Sequence, residues 1–324
     1  MAIKTKVKRS AESEVVLLYN AFDDFIMEKE AINLSPASIK SYQVTFRIFC
    51  NFFEFDNETD IAEINQQLIF KWIGTMKLQD LTISSINHYL RDMRCFLYWC
   101  MSNTREYIEE FKIQLLSKQE EAPKCFDDDE IERLLEKPRN KDNFATWRTW
   151  AVVSWILATG NRAATICDVQ IKDIDFKRKE IELKHTKNKK AQIIPLSSSL
   201  ETVLKEYIRI WRKGVDSESY LFCNIGDEKL TTSALRQSFR KFCIDREVEH
   251  TNIHGLRHSF AKGWVKNNGN TFALQKMLGH STLDMTRVYV KLYGEDLKDD
   301  FEKYSPLDVI KRKQKRTQTV KRNF

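Results

Sequence analysis

Ile174-Asp-Phe-Lys-Arg-Lys-Glu-Ile-Glu-Leu-Lys-His-Thr-Lys-Asn-Lys-Lys-Ala-Gln-Ile-Ile-Pro-Leu196 is the stretch on which the fold reading turns. Residues 174–176, 180–185 and 192–196 are β-rich or alternate apolar with polar, as strands with one buried face do. Lysine-rich turns separate them. Together they predict a small antiparallel meander of three strands. Outward in both directions the pattern becomes helical. Residues 147–158 form an apolar helix upstream, and 198–212, 233–245, 254–267, 272–278 and 284–292 are helical downstream. Asp127–Glu130 is an acidic start for one more helix, placed where a helix dipole favours negative charge.

Further upstream no strand pattern occurs. Leu18, Phe22, Phe25 and Ile26 lie on one face of a helix over 14–30. Ser35-Pro36 opens the next one, with a hydroxyl at the N-cap and proline in the first turn. Residues 65–76 and 84–101 are two more, the latter capped by Thr82 or Ser84. The segment to about 116 therefore predicts a domain of four or five helices. Residues 117–124 lose periodicity and contain Pro123, which marks a linker. The expected division is a basic arm over 1–11, a helical domain over 12–116, a linker over 117–124, a second domain over 125–304 and a basic tail over 305–324. The fold class is mainly α, with one small sheet.

Composition supports this reading. The 324 residues are 42% hydrophobic and 11% aromatic, enough to bury two cores. Five prolines and nine glycines disfavour a loop-rich β protein. No apolar run approaches the ~18 residues of a membrane span, so no membrane partner is expected. The N-terminus is basic without an apolar stretch, unlike a secretory signal. The seven cysteines are odd in number and lack CxxC spacing, so neither a disulfide framework nor a zinc site is expected. Free thiols fit a reducing cytoplasm. The net charge of +7 is concentrated at the ends: after Asp308 there are seven cations and no acid. Such tails bind polyanions or simply solubilise.

Nucleotide-binding patterns of the GxxxxGK[ST] and GxGxxG types are absent, as is HExxH, and no clustered acidic triad suggests a metal. A cationic set stands out instead. Arg162 follows Thr159-Gly160-Asn161 at a helix break. Lys187 sits in the turn 184–190. His254 and Arg257 share a helical face. His280 follows Leu278-Gly279, and Tyr289 lies further along. Two arginines, a lysine, two histidines and a tyrosine suit a dianionic phosphorane. Arginine forks two nonbridging oxygens, tyrosine is an oxygen nucleophile, histidine takes its proton and lysine protonates a leaving oxygen. The arginines supply the charge stabilisation a metal would otherwise bring.

Each residue alone has a plainer reading. Tyr289 would be a core or surface tyrosine, and Tyr293, four residues on, competes for the nucleophile role. His254 and His258 would be cap or packing residues, Arg257 an ion-pair partner, and the lysine cluster a solvated turn. Their common order is what argues for a phosphate site.

These motifs resemble the tyrosine recombinases, or phage integrases. Thr159-Gly-Asn-Arg162 is similar to the family's arginine box. Thr186-Lys187 followed by Ile194-Pro195-Leu196 resembles its hairpin lysine motif. His254-Gly-Leu-Arg-His-Ser-Phe260 and Leu278-Gly-His280-Ser-Thr-Leu-Asp-Met-Thr-Arg-Val-Tyr289 resemble its last two boxes. The resemblance covers roughly 125–304, and the first domain looks like the family's SAM-like core-binding domain. It implies a mixed α/β catalytic domain with a three-stranded antiparallel sheet, in a short Xer-like form without an arm-binding domain. It implies that Tyr289 attacks a DNA phosphodiester to give a 3′-phosphotyrosine, that Arg162 and Arg257 clamp the phosphate, and that Lys187 is the acid. His254 would be the base and His280 a further phosphate ligand. No cofactor is implied. Lys184, Lys189, Lys190, Lys311, Arg312 and Lys313 are expected to contact DNA.

The implied partners are duplex DNA and further copies of the chain, two per site and four in synapsis, in the cytoplasm of a bacterium or its phage. One departure is Thr165, where the family usually has an acid that holds the first arginine; Asp168, one turn on, is the candidate substitute. Two readings stay open: a site-specific recombinase, and a DNA-binding regulator or repressor on the same fold.

Overall fold

The computed structural model describes residues 15–102, 105–118, 122–184, 191–280 and 282–293. The chain divides into two compact units, 1–120 and 121–324. Each is treated by itself.

The first unit contains helices α1 (Leu18–Ala31), α2 (Pro36–Phe53), α3 (Gln66–Leu78) and α4 (Ile83–Cys100). Their starts follow local chemistry. Ser35, Asn65 and Thr82 each accept backbone N–H groups of the first turn, and Pro36 occupies the position where no donor is needed. The core is aromatic. Phe22 stacks on Phe46 at 3.7 Å, while Phe96 and Trp72 meet Phe25 and Phe49 edge-on.

Helix was expected to about residue 116, but 105–118 has no regular secondary structure. The reason is that side chains take over its backbone groups. Asn87 Nδ2 donates to the Leu116 carbonyl at 2.9 Å and Asn87 Oδ1 accepts its N–H at 2.8 Å. The Tyr98 hydroxyl accepts the Ile113 N–H. Ile108 and Ile113 are buried against the helices.

The second unit begins with α5 (Asp128–Leu135), α6 (Phe144–Thr159) and the short α7 (Ala163–Cys167). Strands β1 (Ile174–Asp175), β2 (Glu180–Leu183) and β3 (Gln192–Pro195) then form an antiparallel sheet in that order. Ile181 pairs with both Ile174 and Ile194, which puts an apolar row on the core face. Helices α8 (Ser198–Trp211), α9 (Thr232–Ile244), α10 (His254–Lys266), α11 (Thr271–Leu278) and α12 (Asp284–Tyr293) complete it.

Asp127 and Glu130 form a reciprocal cap at the start of α5. Helix α6 is buried nearly all round, from Trp147 to Thr159, and runs through the core with α8, α9 and α10 against it. All seven cysteines are free thiols. Among the described residues no helix is long and apolar enough to cross a membrane.

Candidate active site

The site starts at the C-terminal end of α6. Thr159 Oγ1 donates to the Trp155 carbonyl, and Trp155 Nε1 donates to Asn161 Oδ1 at 2.9 Å. The helix stops at Gly160, which has φ +66°. A Cβ there would fall 2.4 Å from Phe260 Cδ1 and 2.7 Å from Leu278 Cδ2. Glycine is required for both the left-handed turn and the close approach. The turn exposes the Gly160 carbonyl to α10 and places Arg162 just before α7.

Helix α11 ends in the same way, on Gly279 at φ +60°, and leaves the Leu278 carbonyl without a helical partner. Two arginines meet it. Arg162 Nη1 donates to Leu278 O at 3.3 Å and Arg257 Nη2 donates to it at 2.9 Å. Arg257 Nη1 donates to Gly160 O at 2.7 Å. Arg257 is buried. Among the described residues neither guanidinium pairs with a carboxylate. Burial works against the charge of both, and Arg162 further opposes the charge of Arg257. A buried and a half-buried cation without a carboxylate partner make a strong anion site.

Arg257 Nη2 also lies 2.8 Å from His280 Nε2, and His280 Nδ1 lies 2.9 Å from Thr286 Oγ1. A guanidinium only donates, so Nε2 accepts and the proton sits on Nδ1, directed at Thr286. Burial, then Arg257 and Arg162, push the His280 pKa down to about 4. Its ring is therefore neutral at neutral pH.

Tyr289 projects from α12 into a small cluster with Ala261, Val265, Leu274 and Leu278, and is 4% exposed. Its hydroxyl is 2.7 Å from His258 Nδ1. Burial raises its pKa, while Arg257 and Arg162 oppose that rise. Sequence reasoning gave His258 no role. The signal was its spacing: four residues after His254, it shares a helical face. His254 stands edge-on to His258, with ring centroids 4.7 Å apart, and is exposed. Among the described residues its ring makes no hydrogen bond. Partial desolvation, then Arg257, Arg162 and Arg236, lower its pKa.

Arg162, His254 and Arg257 line one cavity of about 460 Å³ with Asn161 and Thr232. Arg236, on α9, joins them. It is a third cation that no motif had singled out. The N-terminus of α10 opens onto the same space, adding its dipole to the positive field.

Other expected residues fall elsewhere. Lys187, Lys189, Lys190, Lys311, Arg312 and Lys313 lie outside the described residues, as does the side chain of Tyr293. Lys184 Nζ binds Asp173 Oδ1 at 2.5 Å, an ion pair between the end of β2 and the turn before β1. Asp168 pairs with Lys229, so it does not replace the acid missing at Thr165. The Leu278 carbonyl holds Arg162 instead. Among the described residues no group of three or more His, Cys, Asp or Glu is placed to hold a metal ion.

Comparison with known proteins agrees with the geometry. The profile of the phage integrase family matches residues 124–295, and that of the phage integrase N-terminal SAM-like domain matches 20–104. Tyrosine recombinase XerD of Chlamydia trachomatis is 26% identical over 295 residues, covering 85% of this chain and 92% of that protein. Tyrosine recombinase XerA of Saccharolobus solfataricus is 27% identical over 301 residues, covering 88% and 92%. Among solved structures, the XerH recombinase bound to its difH substrate aligns with a TM-score of 0.67 at 21% identity, covering 86% of this chain and 82% of that one. The Tn1549 transposon integrase with transposon-end DNA aligns at 0.69 and 18%, covering 90% and 100%. The chain, with its arginine-clamped cavity and buried tyrosine, belongs to the phage integrase family.

Proposed function

We propose that this protein is a site-specific DNA recombinase of the tyrosine type. It cleaves and rejoins duplex DNA through a 3′-phosphotyrosine at Tyr289. The observation that carries this is the pair of guanidinium groups, Arg162 and Arg257, without carboxylate partners and on the same small framework as a buried tyrosine. The relatives named above are tyrosine recombinases, and the solved neighbours include complexes with DNA.

The steps follow from the groups. A scissile phosphate enters the cavity and takes the guanidinium donors of Arg162 and Arg257, with Arg236 and His254 at its rim. Tyr289 Oη attacks phosphorus, the phosphorus–O5′ bond breaks, and the arginines stabilise the charge that builds on the nonbridging oxygens. His280 orients Arg257 and adds a hydrogen-bonding ring beside it. Lys187 is the proposed acid for the departing O5′. The phosphotyrosine keeps the energy of the broken ester, so a 5′-hydroxyl of another strand reseals it without ATP. The working assembly is a dimer on each site and a tetramer in synapsis, in the cytoplasm of a bacterium or a phage-infected cell. A lambda integrase fragment with this fold is a dimer on its core site.

The test uses duplexes recovered by binding selection from a random-sequence pool and nicked at successive positions. A nick beside the scissile phosphate lets the short 5′-hydroxyl fragment diffuse away and traps the adduct. Wild type accumulates covalent protein–DNA adduct; Tyr289→Phe binds the same DNA and forms none. Tight specific binding with no adduct at any nick position contradicts the reading.

A further inference from the structure

Thr286 is fully buried on α12, three residues before Tyr289 and on the same helix face. The cleavage steps give it no part. Its hydroxyl nevertheless lies 2.9 Å from His280 Nδ1, and His280 Nε2 lies 2.8 Å from Arg257 Nη2. Both separations are those of good hydrogen bonds. A chain of three side chains therefore runs from the tyrosine's own helix to the phosphate clamp.

We infer that Thr286 is a positioning residue, its hydroxyl setting the His280 ring so that the ring can fix Arg257 against the scissile phosphate. The inference rests on the reading of Arg257 and Tyr289 as cleavage machinery. The backbone of His280 is already held by α11. Its N–H donates to the Gln275 carbonyl at 3.1 Å, and its carbonyl accepts Gln275 Nε2 at 3.4 Å. That fixes where the ring starts, not how it turns or which nitrogen carries the hydrogen. Thr286 decides both.

The donors and acceptors allow one arrangement. Arg257 only donates, so Nε2 has to be bare. The ring is neutral, so its single hydrogen is on Nδ1, and the Thr286 oxygen accepts it. The opposite tautomer would aim an Nε2 hydrogen at a guanidinium hydrogen. Without the hydroxyl, the Nδ1 hydrogen loses its partner in a half-buried place, and the correct tautomer loses its advantage. The same bond ties α12 to the clamp, so the helix that carries Tyr289 is in register with the guanidinium that holds the phosphate.

The test uses the nicked duplex that traps wild-type adduct, with thermal midpoint and DNA binding measured alongside. Thr286→Val keeps the side chain's shape and removes the hydroxyl. Thr286→Ser keeps the hydroxyl. The valine variant should bind DNA and form adduct about 10–100-fold more slowly, the scale on which groups that orient a ligand histidine act in metal sites. The serine variant should restore most of the rate. Each change is then repeated in His280→Ala. If Thr286 works through the ring, valine has no further effect there, because the two losses are one. Equal slowing by valine with and without the ring shows a merely structural role and overturns the inference, as does a valine variant with the wild-type rate. Should the valine variant lose its fold, nitrogen-15 NMR of wild type decides alone: hydrogen on His280 Nδ1 and a bare Nε2 are expected, and the reverse tautomer overturns the inference. Absence of adduct from wild type at every nick is a separate failure, which removes the nucleophile and this inference with it.

Discussion

Leu278 donates nothing from its side chain to the chemistry, yet its carbonyl oxygen anchors both arginines. Arg257 spans two such carbonyls, Leu278 and Gly160, and one imidazole, which fixes the plane of its guanidinium. Replacing it with lysine keeps a charge but loses the fork. Arg257→Lys should therefore slow adduct formation by about 10²–10³-fold, the scale of losing one preorganised charge contact. Tight binding of the same DNA with that loss is the expected pattern; unchanged cleavage would show that the fork is not needed.

Asp168 gives the opposite expectation. Its partner is the half-exposed Lys229, and exposed pairs contribute at most about 1 kcal/mol. Asp168→Asn should leave cleavage unchanged and barely move the thermal midpoint. His280 titrates in a third way. Its folded pKa of about 4 lies below the ordinary histidine value. Unfolded chain thus takes up a proton between those values while folded chain does not, so stability is full above about pH 6.5 and falls as pH drops toward 4. A thermal-midpoint series from pH 7.5 to 4.5 should decline less steeply in His280→Asn than in wild type.

Helix ends, more than helix bodies, build this site. Gly160 closes α6 and Gly279 closes α11, and each hands a free carbonyl to an arginine. Gly160→Ala would force a left-handed alanine and drive its Cβ into Phe260 and Leu278. Strain of ~1–2 kcal/mol in the backbone and ~1–3 kcal/mol from overpacking should lower stability and displace Arg257, seen as a lower thermal midpoint and lost adduct.

The elements themselves were largely legible. Ser35-Pro36 announces α2, Asp127 with Glu130 announces α5, and the alternation around Ile181 and Ile194 announces the sheet. The segment 105–118 was not legible, because Asn87 and Tyr98, distant in sequence, satisfy its backbone. In the site, local motifs singled out Arg162, Arg257, His280 and Tyr289, and the structure brings these four together. His258 was missed for a physical reason. Spacing places it on a face, but only the packing of α12 on α10, 31 residues away, shows which ring receives the tyrosine hydroxyl.

For the whole chain, the charge distribution bears on binding rather than fold. Seven cations and no acids follow Asp308, in residues outside those described. Each phosphate neutralised adds ~0.9 to the slope of log K against log salt. Binding should fall steeply with salt, and truncation after Tyr304 should weaken it and flatten the slope by ~0.9 for each tail cation that met a phosphate. Equal slopes for full and truncated protein would make the tail a solubilising end.

The central claim, that Tyr289 becomes joined to DNA, can be read directly. Trypsin cleaves after Arg287 and Lys291, so Val288-Tyr289-Val290-Lys291 carries only the first of the two neighbouring tyrosines, and Tyr293 falls in the next peptide. Adduct trapped on nicked duplex, digested with nuclease and trypsin and sequenced by tandem mass spectrometry, should show a phosphonucleotide remnant on Tyr289 within 288–291. A remnant on Tyr293, or on no tyrosine of α12, would contradict it.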